Sequence, residues 1–114
     1  MIAVIFEVHP KDGQMDSYLD IAAGLKDELA QVPGFISVER FQSLTNPGKL
    51  LSLSFFEDEA AVANWRNRSD HRAAQSKGRG GIFEAYRIRV AQVLRDYTLE
   101  ERNEVPTDSK AAHR

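Results

Sequence analysis

The chain has 114 residues, 42% of them hydrophobic, and 15 Lys and Arg against 17 Asp and Glu give a formal net charge of −2. That length suits one domain with a modest core of its own, and the charge balance steers neither nucleic acid nor an anionic membrane surface toward it. The absence of cysteine excludes disulfides, thiolate metal sites and cysteine nucleophiles.

Ile2 to His9 reads as a strand with Ile2, Val4, Phe6 and Val8 on one face, while Ile5 makes the other face partly apolar. This opening is too short and too alternating for a signal peptide, and no apolar run approaches the ~20 residues that span a bilayer. A cytoplasmic protein is therefore the expectation. After a turn at Pro10 to Gly13, Met15, Tyr18, Ala22, Leu25, Leu29 and Val32 recur at three and four residues, the stripe of an amphipathic helix from Gln14 to Val32. Pro33-Gly34 stops it. Phe35 to Leu44 and Lys49 to Phe56 flank the turn Thr45-Asn46-Pro47-Gly48 and read as a hairpin. Its second strand carries Leu51, Leu53 and Phe55 on one face, with Leu50 and Phe56 bounding the serines on the other. Asp58 is placed to cap a helix that presents Val62 and Trp65. The helix breaks near Asn67, and Ser69 caps a second piece running to Gly78. Gly78-Arg79-Gly80-Gly81 frees the chain into a last strand, Ile82 to Tyr97, with Tyr86, Ile88 and Val90 alternating with Arg87 and Arg89.

The order strand, helix, strand, strand, helix, strand predicts an α+β fold, the ferredoxin-like split βαβ with a four-stranded antiparallel sheet. Right-handed crossovers put both helices on one face of it. The second face, with Ile5, Phe41 and one side of the last strand, is too apolar to leave in water. A second copy is expected to cover it by a two-fold contact, making a homodimer. Residues 1–97 form this domain, and 98–114, which lack apolar periodicity, form a polar tail.

Each candidate functional residue also has an ordinary structural role. Trp65 is core packing or a cavity wall that stacks on a flat ring, with Asn64 or Asn67 as a polar neighbour. His71, Gln75 and Arg79 follow at four-residue spacing, and His71 is a general-base candidate or a surface histidine. No second histidine or carboxylate stands at metal-ligand spacing, so no metal site is expected. The glycine run precedes a strand and reads as a hinge, because a phosphate cradle needs a helix directly after it. Arg87 and Arg89, on the last strand, are candidates for binding a ligand carboxylate or phenolate, or for neutralisation by Glu7 or Glu39. RNA-recognition modules share this strand order but need basic and aromatic residues on the third strand. Residues 50–56 contain no basic residue.

The opening strand, Val32-Pro33-Gly34-Phe35, the Phe55-Phe56-Glu57-Asp58 entry to Trp65, and the later Phe83, Tyr86 and Arg95-Asp96-Tyr97 resemble the antibiotic biosynthesis monooxygenase family of dimeric α+β barrels over about residues 2 to 97. The resemblance implies a pocket between sheet and helices. It also implies a cofactor-independent monooxygenase in which a small phenol, quinol or anthrone-like substrate is deprotonated and its carbanion meets dioxygen directly. On that reading Trp65 stacks or donates, Asn64 donates, His71 or Tyr86 transfers the proton, and Arg87, Arg89 and Phe55 bind the substrate. A heme-degrading branch resembles the chain at Trp65 and Asn67. Its iron-ligating histidine, however, falls at Gln75, and its first-strand asparagine near Glu7. The third reading is a non-catalytic dimer that binds a small molecule.

Overall fold

The computed structural model describes residues 1–68, 72–73, 76 and 78–112. Its elements are β1 (Ile2–Pro10), α1 (Met15–Ala30), β2 (Phe35–Gln42), β3 (Leu50–Phe56), α2 (Glu59–Arg66), β4 (Phe83–Gln92) and a short α3 (Thr107–Ala112). The strands lie in the order β2-β3-β1-β4 with every pairing antiparallel, the α+β ferredoxin-like arrangement.

Local chemistry sets the helix ends. The Asp58 carboxylate accepts from the Ala61 N–H at 2.9 Å and starts α2. Asn67 stops it where the break was expected, donating from Nδ2 to the Ala63 carbonyl at 2.9 Å. The expected second helical piece, Ser69 to Gly78, falls largely outside the described residues. After α1 the chain reverses through Gly34 at φ +86°, where a Cβ would stand 2.8 Å from the Ala61 Cβ. The Gly34 carbonyl accepts from the Glu57 N–H at 2.7 Å. One glycine thus ties the entry of β2 to the entry of α2.

Register decides the faces. Val4, Phe6 and Val8 of β1 stand opposite Ser54, Ser52 and Leu50 of β3 and Val90, Ile88 and Tyr86 of β4, so these share one face. The core beneath the helices has two parts. Ile2, Leu29, Phe56, Ala61 and Val62 pack at one end, joined by Trp65. Val8, Tyr18, Ala22 and Leu50 pack at the other, joined by Phe6 and Phe83.

Two expectations need correction. The last strand ends at Gln92 and not Tyr97, because its ladder with β1 runs out at the Ile2–Gln92 pair. After a further bond from the Val93 N–H to the Met1 carbonyl, the chain pairs with no further strand among the described residues, and Leu94 and Leu99 are exposed. The apolar content of the second face comes from β3 (Leu51, Leu53, Phe55) with Ile5 and Phe41, while β4 contributes Arg87 and Arg89 there.

Gly34→Ala is expected to cost about 2–4 kcal/mol, combining left-handed strain with overpacking against Ala61. Thermal denaturation should show a fall in Tm of about 10 °C or more. Gly24→Ala, inside α1 with nothing within 4 Å of its new Cβ, should raise Tm instead. Equal effects at both sites would sink the account of Gly34.

Candidate active site

Between the two core clusters the helices stand off the sheet and leave a cavity of about 330 Å³. That volume lies at the lower end of the ~300–1,000 Å³ range of small-molecule sites. The floor is Val4, Ser52 and Ser54, and the roof is Ile21, Ala22, Leu25 and Leu29 of α1. Val38, Val62 and Trp65 form one end. An aromatic corner forms the other, where Phe6, Phe83 and Tyr86 lie pairwise 5.8–5.9 Å apart and Tyr18 meets Phe83 edge-on at 5.8 Å.

The cavity's electrostatics are one-sided. Lys26, Arg40, Arg66 and Arg72 line it, and no carboxylate is among its described lining residues. Lys26, Arg66 and Arg72 are exposed at the rim, whereas Arg40 is half-buried. Among the described residues Arg40 makes no ion pair, and its Nε is shielded from solvent without an acceptor. Tyr18 is buried, and burial raises its pKa while the charge and hydrogen bond of Arg40 pull the other way. The raised phenol stays protonated at neutral pH.

The opposite face of the sheet has a different balance. Glu7 sits 3.4 Å from Lys49 Nζ and 3.4 Å from Arg89 Nη1. Its carboxyl is held below the ordinary value, first by the hydrogen bond from Lys49 and then by the charges of Lys49, Arg89 and Arg87.

The predicted site residues separate accordingly. Trp65 and Tyr86 line the cavity. Trp65 also packs on the core, so its two sequence readings are compatible. Asn64 is exposed and absent from the lining. Arg87, Arg89 and Phe55 lie on the far face of the sheet, because each is one residue out of phase with the cavity-facing set. Within one chain they do not reach this cavity. Glu7 faces away as well, and His71 and Gln75 lie outside the described residues. Tyr18, Arg40, Ser52 and Ser54 were not singled out from the sequence. The signal for them was two serines and an arginine on inward positions of a hairpin whose inner face otherwise carries Val38, Leu50 and Phe56, with Gln42 at its end.

The family model for antibiotic biosynthesis monooxygenases matches residues 1–77. A jasmonate monooxygenase ABM of Pyricularia oryzae is 47% identical over 107 residues, 94% of this chain and 50% of that protein, so the chain spans half its length. The uncharacterized protein YqjZ of Bacillus subtilis is 32% identical over 99 residues, covering 87% of this chain and 84% of that one. Among solved structures, Rv0793 from Mycobacterium tuberculosis superposes with a TM-score of 0.77 at 13% identity. The match covers 85% of this chain and 98% of that one and shows a shared fold.

Ser54→Leu would fill part of the cavity with apolar volume. The expected outcome is a gain of about 1–2 kcal/mol in urea denaturation, together with loss of small-molecule binding followed by calorimetry. Retained binding in a stabilised variant would show that the ligand sits elsewhere.

Proposed function

Because the chain belongs to the antibiotic biosynthesis monooxygenase family, we propose that it is a cofactor-independent monooxygenase acting on a small ring-bearing substrate held in this cavity. The observation that carries the reading is the pairing of apolar walls with cations and no described carboxylate. Such a site favours the deprotonated form of an acidic ring substrate, because fixed positive charge acts more strongly where water is excluded. The substrate ring lies between Trp65 and the aromatic corner, and Tyr86 is the proton-transfer group proposed among the described residues.

The chemistry balances without an added reductant when the substrate is an anthrone-like methylene. The ring carbon loses a proton, its carbanion passes electrons to dioxygen, and one oxygen atom stays as a carbonyl. The other leaves as water with the two methylene hydrogens. The name of the Pyricularia relative brings jasmonate into the candidate set. Hydroxylating an unactivated C–H bond there needs two further electrons. The electron requirement separates the two substrate types. With anthrone and no reductant, the protein should consume about one dioxygen per ketone formed, and Trp65→Ala should lower kcat/KM by about tenfold or more. Turnover of jasmonate only when a reductant is supplied, with anthrone left untouched, would sink the carbanion reading.

The proposal includes a homodimer. Leu51, Leu53 and Phe55 of β3, with Ile5 and Phe41, form an apolar second face, opposite the one on which α1 and α2 pack. Sheet-to-sheet packing of a second copy buries it. Analytical ultracentrifugation should give a dimer for the natural chain and a monomer for Leu53→Arg, which puts a charge at the centre of the contact. A natural chain that sediments as a monomer at micromolar concentration would refute this arrangement.

A further inference from the structure

We propose that Arg40, with Tyr18 beside it, is an anchor for a carboxylate, so that the molecule held in the cavity is an apolar ring system bearing a carboxylic acid. This rests on the cavity being the substrate site.

Arg40 stands apart from the other half-buried arginines of the described chain. Arg68 donates to Glu28, and Arg102 donates to the Thr98 carbonyl and lies over the Tyr97 ring. Arg40 lines the cavity, is half-buried and has no acidic partner among the described residues. A guanidinium withdrawn from water without a carboxylate carries an uncompensated cost, and a covered Nε–H without an acceptor adds to it. Tyr18, the polar group beside it, does not remove that cost, although the charge and hydrogen bonding of Arg40 act on its phenol. The phenol remains neutral and so keeps its own proton to donate. Arginine has no acceptor at all. Two neighbouring groups thus present donors and call for a ligand that only accepts.

A carboxylate meets that demand. It is planar, accepts on both oxygens and matches the guanidinium fork. The Ser52 hydroxyl, on the residue paired with Arg40 across β2 and β3, supplies one more donor at the floor. The rest of the cavity is apolar or aromatic, which suits a ring body and leaves the acid as its single polar end.

The test is a matched pair of probes, 2-naphthoate and its neutral amide 2-naphthamide, titrated at pH 7 by isothermal calorimetry. The acid should bind about tenfold or more tightly than the amide, the scale of a hydrogen bond to a charged group. In Arg40→Met that preference should vanish while the amide keeps its affinity, and Arg40→Lys should restore part of it. Arg95→Met, exposed and outside the cavity lining, should change the ratio by less than about threefold. Equal affinity for acid and amide in the natural protein overturns the anchor without needing any variant. So does a preference that survives in Arg40→Met, or the failure of both probes to bind. Dioxygen uptake with anthrone is scored separately. Uptake with no acid preference refutes the anchor alone, and acid preference without uptake refutes the carbanion reading alone.

Discussion

Leu50 and Phe56 stand at the two ends of the inward face of β3, with Ser52 and Ser54 between them. Each large residue is the centre of a packed cluster that holds the helices at a fixed height above the sheet. The serines cannot reach that height, so the space above them stays open. Close packing is the rule in protein interiors because an unfilled volume forfeits dispersion contacts on its whole lining. A void of ligand size bounded by two well-packed ends is therefore a feature of this inward row, and Gly34 holds one of its walls in place. Because the Gly34 carbonyl bonds Glu57 and its missing side chain admits Ala61, α2 starts at a set distance from the α1–β2 turn.

Charge is sorted by the same alternation. On β1, Phe6 faces the cavity and Glu7 the opposite side. On β4, Ile88 faces the cavity and Arg87 and Arg89 the opposite side. The acid that could have neutralised a cavity cation is thus committed to the far face, where Lys49 and Arg89 already hold it. The cavity keeps positive charge with nothing in its described lining to cancel it. The two proposals, oxyanion stabilisation and carboxylate anchoring, draw on that same imbalance at different places, the rim and the depth.

The fold was readable in the sequence because its elements are strongly periodic. The stripe from Met15 to Val32, the Asp58 cap and the break at Asn67 are local signals, and local signals survive folding. The site was readable only in part. Trp65 and Tyr86 lie on inward positions of elements whose phase was clear. Arg87, Arg89 and Phe55 fall outside this cavity because a strand carries two faces, and which face meets the helices depends on register with β1. Register is a long-range property that no window of sequence contains. Arg40 was passed over for a related reason. In isolation it is one polar residue in a mixed strand, and it becomes unusual only once Ser52 is seen opposite and no described acid pairs with it. The end of β4 depends on its partner too, since residues 93–97 have strand-like composition but no further strand to pair with among the described residues.

β1 links the two proposed functions mechanically. It is the central strand in the pairings with β3 and β4, and its odd and even residues serve different surfaces. A shift of one residue in its register would exchange Val4 and Phe6 with Ile5 and Glu7, moving a carboxylate into the cavity and placing Val4 and Phe6 on the second face. Packing a second copy against that face resists the shift, because it would bury Phe6 and Val4 where Ile5 fits and expel the Glu7 pair from its cations. The proposed dimer contact and the cavity floor are thus two sides of one ladder of hydrogen bonds. A ligand that stiffens one side lowers the entropy cost of ordering the other.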